Sequence, residues 1–231
     1  MAHPKKRLSA GKRKDAITQA ALGLFAQKGF YGVTTSELAR TCGVSEALIF
    51  QHFPTKIAIY NDMLGRQSDH IEPVYNKFME QPPCAGTLVE LVFNFLYRVV
   101  KKQSLQGSMA MLLFYRSFVD DGVFASKFLH GKRLQLIKRK FETSLTQARK
   151  NGDALPLASS PHDLFWFVQH VASMACLIRL SRKRAVHYSA NIDAAIGDMA
   201  LFALRGIGLT EATLMRYATP ENFAAWRALY L

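Results

Sequence analysis

The spacing in this chain that is able to do chemistry begins at Thr35. Counted from there, Ala39 is the fifth residue, Gly43 the ninth and Ile49 the fifteenth. A small residue lets two helices cross closely, a glycine supplies the positive φ of a tight turn, and an apolar residue plugs the second helix onto the first. Leu38 and Val44 complete that seam. The pattern is that of a helix-turn-helix, whose chemistry is recognition. A helix in the major groove reads base edges while the surrounding groups hold phosphates.

No competing chemistry has comparable support. The sequence holds no metal-ligand cluster, nucleophile elbow or glycine-rich phosphate loop, so neither an enzyme nor a bound metal or cofactor is expected. Asp120 and Asp121 fall at an expected turn between helices. Cys42, Cys84 and Cys176 are far apart and lack ligand spacing, which leaves buried free thiols in a reducing compartment or a redox-sensing role for one of them. Lys and Arg outnumber Asp and Glu by 30 to 17, a formal charge of +13. That excess favours a polyanionic partner, nucleic acid or anionic lipid, without choosing between them. With 49% hydrophobic and 20% charged residues, general disorder is not expected. There is no secretory signal and no run of the roughly 18 apolar residues that spans a bilayer. A soluble, cytoplasmic protein with no membrane partner is the expectation.

The elements that must position the motif read as helices almost throughout. Residues 1–9 form a basic arm containing Lys5, Lys6 and Arg7. Ile17, Ala20, Ala21, Leu24 and Phe25 mark one face of a first helix closed by Gly29. Thr34 and Glu37 have capping-box spacing for a second helix, which ends near Cys42-Gly43. Ser45 caps a third, from Glu46 to Phe53, and Pro54 stops it. A longer helix follows from Thr55 to about Met79, kinked at Pro73 and ended by Pro82-Pro83. Further helices are predicted over 85–102, 105–119, 123–149, 161–184 and 190–206, with two short ones after Gly208. The helix from 161 has the strongest start, with Ser160 as cap, Pro161 and Asp163.

The run Thr34-Thr35-Ser36-Glu37-Leu38-Ala39, then Gly43-Val44-Ser45, Ile49-Phe50-Gln51-His52-Phe53 and Lys56, resembles the head of the tetracycline-repressor-like (TetR-type) transcriptional regulators. The resemblance covers about the first quarter of the chain. It implies an all-α fold: a three-helix helix-turn-helix DNA-binding head (10–54) after the arm, and a larger helical ligand-binding and dimerisation body (55–231). It implies that Thr35, at the start of the second helix with Thr34 as its cap, reaches a phosphate. It also implies that His52 and Lys56 touch the DNA backbone, and that Ala47, Leu48 and Gln51, following Ser45, face the groove. Leu48 would then meet a thymine methyl and Gln51 an adenine. Without DNA contact, His52 would be a surface helix cap and Leu48 would pack against the first helix. Phe50 stands where the family commonly has Tyr, and Ile57 where an acid is frequent. The arm is either a solvated tail or a phosphate contact.

In the body, Phe93, Phe95, Tyr97, Met109, Met111, Phe114, Tyr115, Phe118, Phe124 and Phe128, with Trp166 farther on, are either plain core or the wall of a cavity. By the resemblance they wall a site for a small, mainly apolar effector, with Arg116, Tyr115, Gln169 and His170 as polar anchors. The basic run at the end of the 161–184 helix reads as a solvated helix end beside the dipole. Ala194, Ala195, Ile196, Met199, Ala200, Phe202 and Ala203 suit close helix packing. By analogy with the family, this helix and the one from 161 form a four-helix dimer interface, and the operator is palindromic. The expected function is therefore ligand-responsive regulation, most simply repression, by a homodimer on double-stranded operator DNA. The alternative is a DNA-binding protein of the same fold with no small-molecule effector, architectural or controlled by a protein partner.

Overall fold

The computed structural model describes residues 9–68, 78–101, 105–180, 183 and 186–228, with side chains described for all of these except 64–68 and 105–107. Residues 1–8 of the arm, Pro73, Arg182 and Arg184 lie outside the described residues. All regular structure among the described residues is helical, apart from one isolated antiparallel bridge between Ala154 and Leu209. This is the all-α class expected.

The chain divides into two compact units, 1–70 with 105–131, and 71–104 with 132–231. The first holds α1 (Ala10–Lys28), α2 (Thr35–Cys42), α3 (Glu46–His52), α4 (Lys56–Ser68), α6 (Leu105–Asp120) and α7 (Val123–Leu129). The second holds α5 (Ala85–Val100), α8 (Lys132–Lys150), α9 (Pro161–Leu180), α10 (Ile192–Gly206), α11 (Glu211–Tyr217) and α12 (Pro220–Ala228). The first unit runs past residue 54, where the sequence reading ends the head, and takes in α6 and α7.

In that unit the starts of α1, α2 and α3 are each fixed by one hydroxyl. Ser9 Oγ accepts from Lys12 N, Thr34 Oγ1 from Glu37 N and Ser45 Oγ from Leu48 N, at 3.4, 3.1 and 3.2 Å. Such caps contribute about 1 kcal/mol each. α1 buries Ile17, Ala21, Leu22, Phe25 and Ala26, while Ala20 and Leu24 are half-buried. The buried surface departs from the single stripe expected because α1 packs against α2, α3 and α4 and also against α6.

Tyr60 of α4 sits at the centre of the unit, 1% exposed, with its ring 5.3 Å from Phe25, 4.9 Å from Phe30 and 5.5 Å from Phe124. Burial, reinforced by the Asp121 charge, raises its hydroxyl pKa far above the usual tyrosine value. Arg116 of α6 donates to the Gln27 carbonyl at 2.6 Å. The turn into α7 is closed by Ser117, whose Oγ accepts from Phe124 N and Ala125 N at 3.0 and 3.1 Å, because Gly122 at the cap position has no side chain to do so.

The single helix expected over 123–149 is two, α7 and α8, broken at His130-Gly131. Continuing the Phe124–Phe128 stripe would bring Lys132 and Gln135 inward, whereas α8 buries Leu134, Ile137, Phe141, Ser144, Leu145 and Ala148. Glycine, poorly suited to a helix interior, permits the change of phase. α9 is described as far as Leu180, and most of the 181–184 segment expected to continue it lies outside the described residues.

The second unit is built around α5, which buries Leu88, Val89, Val92, Phe93 and Leu96 and is touched by α8 through α12. Phe93 stacks on Phe223 with centroids 4.3 Å apart and planes at 7°. Phe165 packs against both Phe95 and Phe141.

Replacing Ser117 with Ala strips two buried N–H groups of their acceptor. Ser117→Ala is expected to lower unfolding stability by about 2 kcal/mol, read by urea denaturation. A loss under about 0.5 kcal/mol would mean that the hydroxyl does not hold α7.

Candidate nucleic-acid interface

The surface begins with the turn between α2 and α3. Gly43 adopts φ 64° and ψ 37°; its N–H bonds to Arg40 O at 3.1 Å, and Val44 N bonds to Ala39 O at 3.0 Å. This is a Schellman closure, in which a left-handed residue satisfies the last carbonyls of a helix. A Cβ at Gly43 would meet nothing within 4 Å, so backbone strain alone demands glycine here. Leu38, Ala39, Ile49 and Phe53 are buried at 0, 4, 0 and 2% exposure, and α2 and α3 cross over them as the spacing predicts.

With Ile49 and Phe53 turned inward, α3 leaves Glu46, Ala47, Phe50 and Gln51 exposed, while Leu48 and His52 are half-buried. Leu48 thus occupies a position between the two readings open for it. Thr34 and Ser45 are exposed; as caps their hydroxyl oxygens accept hydrogen bonds, which leaves each hydroxyl hydrogen available to a phosphate. Thr35 is engaged differently, its Oγ1 donating to Glu46 Oε2 at 2.9 Å. Phe50, 45% exposed, offers a ring without a hydroxyl.

Lys56 is largely spent on structure. Its Nζ donates to Phe30 O at 2.8 Å and Val33 O at 3.0 Å and lies 4.3 Å from the centre of the Phe30 ring. Burial pulls its ammonium below the usual lysine value. It ties the α1–α2 loop to the start of α4, with one ammonium hydrogen left over. The sequence reading passed over Glu46, although its place at the start of α3, beside the groove positions, was the available signal.

Lys28 of α1 and Glu37 of α2 form a further clamp, the Lys28 ammonium donating to the Glu37 carboxylate. Glu37 is held below the usual carboxylate range, first by that hydrogen bond and then by the Lys28 charge, the Thr34 backbone N–H and Arg40. Of the expected capping box, the bond from Glu37 N to Thr34 Oγ1 is present, while the Glu37 carboxylate is held by Lys28.

The residues proposed for an effector do not share one unit. Phe114, Tyr115, Arg116 and Phe118 belong to the first, and Trp166, Gln169 and His170 to the second. Phe114 is 1% exposed and packed by the rings of Tyr115, Phe118 and Phe128. Arg116 is taken by Gln27 and Asp120, and Phe118 is 58% exposed. Trp166 Nε1 donates to His162 Nε2 at 3.1 Å, Gln169 donates to Ser173 Oγ at 2.6 Å, and His170 is exposed. Among the described residues no group of three or more His, Cys, Asp or Glu is placed to hold a metal ion. No described helix is long and apolar enough to cross a membrane.

A three-helix head whose second and third helices cross over a small residue, a left-handed glycine and an apolar plug defines the helix-turn-helix class. Residues 17–63 match the model for bacterial regulatory proteins of the tetR family, and this head belongs to that family. Over 97 residues, 42% of this chain, the sequence is 32% identical to the nucleoid occlusion factor SlmA of Aliivibrio fischeri and covers 47% of that protein. The chain thus spans about half the length of the curated relatives it matches. In fold it is similar to HlyIIR, a hemolysin II transcriptional regulator, with TM-score 0.58 and 15% identity over 88% of this chain and 99% of that one. It is also similar to AibR, solved with isovaleryl coenzyme A and operator DNA, with TM-score 0.59 and 13% identity over 84% and 97% of the two chains.

Two outcomes follow. Gly43→Ala is expected to cost about 1 kcal/mol of stability, with Gly43→Asn milder because Asn tolerates the left-handed region; equal melting temperatures for wild type and Gly43→Ala would contradict the strain. Because Glu37 titrates lower in the folded state than its ordinary 4.5, the unfolded chain binds more protons below that pH. Stability contributed by the clamp is present above pH 4.5 and falls as pH drops through the folded value. Lys28→Met should flatten that part of the acid-denaturation profile, and an unchanged profile would count against the clamp.

Proposed function

We propose that the chain is a transcriptional regulator that binds a palindromic double-stranded operator as a homodimer, represses from it, and is released by a small, mainly apolar effector. One observation carries the proposal: α3 exposes Ala47, Phe50 and Gln51 beside the cap hydroxyls of Thr34 and Ser45, on a turn closed by left-handed Gly43. In this reading, side chains able to enter a groove stand next to hydroxyls able to bind phosphate.

Dimerisation is supported by the apolar residues that α9 and α10 leave outside, Phe167, Met174, Leu177 and Phe202, at 53, 58, 37 and 70% exposure. Large apolar side chains gathered on two helices of one unit are what an isologous interface covers. Two-fold symmetry then dictates the palindrome. An effector acts by favouring one spacing of the two heads, and moving a two-state equilibrium from end to end takes about 5.5 kcal/mol of differential affinity.

The alternative without an effector is favoured by the ring packing around Phe114 and by the partners already held by Trp166 and Gln169. Retention of a DNA fragment from the chain's own promoter region, measured with and without a panel of apolar small molecules, separates the two. Specific retention lost on ligand addition supports the main reading, and retention indifferent to every ligand supports the alternative. Sedimentation should give a dimer that Phe202→Glu converts to monomer with loss of operator affinity. A monomer that still binds the fragment specifically would overturn the dimer.

A further inference from the structure

We infer that Glu46 is a specificity-determining residue of the DNA surface, accepting a hydrogen bond from a cytosine amino group in the major groove while Thr35 aims it. The inference rests on the DNA-binding reading above. Glu46 opens α3 and is exposed, as are Ala47, Phe50 and Gln51, while Ile49 and Phe53 are buried. Its Oε2 accepts the Thr35 hydroxyl at 2.9 Å across the two helices. That hydroxyl has a single hydrogen, so while the bond stands Thr35 cannot donate to a phosphate. What it does instead is restrict the carboxylate to one orientation, with Oε1 left to accept.

A carboxylate among phosphates is unfavourable unless a donor meets it, and an ionised carboxylate can only accept. The donors on the major-groove edges of bases are the amino groups of cytosine and adenine. Adenine sets its N7 acceptor beside the amino group, guanine offers two acceptors, and thymine offers O4 and a methyl. Cytosine is the base left. Gln51, also exposed on α3, has both a donor and an acceptor and suits adenine. The surface therefore presents an acid and an amide matched to different bases, with Thr35 as the positioning residue for the acid.

The test is selection of a randomised duplex library by the full-length chain, with sequencing of the retained DNA, for wild type, Glu46→Gln, Glu46→Ala and Thr35→Val. Wild type should require cytosine at one position per half-site, and replacing that base should weaken binding about tenfold or more. Glu46→Gln should move the preference there to adenine, and Glu46→Ala should erase it, with the other positions unchanged. Thr35→Val, which keeps the side-chain shape, should weaken the cytosine preference severalfold; a merely structural role would scale every position together. Circular dichroism melts confirm that each variant is folded, and Glu46 and Thr35 are partly or wholly exposed. A consensus identical in wild type and Glu46→Gln would overturn the inference alone. Failure of wild type to enrich any duplex would overturn the DNA-binding reading and this inference with it.

Discussion

Helices of eight and seven residues, the lengths of α2 and α3, cannot keep a fixed mutual angle by local hydrogen bonding, since isolated helices so short are unstable in water. Their geometry depends on the left-handed turn at Gly43 and on the seam it closes, in which Leu38 and Ala39 of α2 meet Ile49 of α3. Once the turn sends the chain back across Ala39, Ile49 and Phe53 point inward and the opposite side of α3 is left outside. Every residue considered for DNA contact on α3 takes its position from that crossing. The caps at Thr34 and Ser45 fix where each helix begins and, with it, where the backbone N–H groups lie.

The rest of the first unit holds this pair from behind. α1 lies against α2, α3 and α4 and also against α6, and Tyr60 gathers Phe25, Phe30 and Phe124 from three parts of the chain. The segment 105–129 is thus part of the compact unit that carries the DNA surface. Lys56, Arg116 and Lys28 each spend charge on loop carbonyls or a neighbouring helix. In a head with so few apolar residues per helix, charge-assisted bonds to backbone oxygens replace some of the packing that a larger core supplies.

Net charge alone is a poor guide to this surface. α8, in the second unit, carries seven Lys and Arg residues against a single Glu, so a substantial share of the excess of 30 basic over 17 acidic residues lies away from the helix-turn-helix. The informative charges of the head are fewer and individually placed. Glu46, at the exposed start of α3, is one of them.

By itself the sequence determined the all-α class, the starts of α2 and α3, the crossing over Ala39, Gly43 and Ile49, and the resemblance of the head. All of these depend on residues within about one turn or one tight loop of each other, where helical periodicity, capping and the positive φ of glycine operate. The break at Gly131 was also legible in principle, as a change in apolar phase, but a long run of helix formers hid it. Only the tertiary structure decided that Lys56 serves the Phe30 and Val33 carbonyls, that Thr35 is tied to Glu46, that 105–129 belongs with the head, and that the suspected effector anchors fall in two units. Those facts join residues distant in the chain, and local periodicity sets which side of a helix is buried without setting which partner buries it.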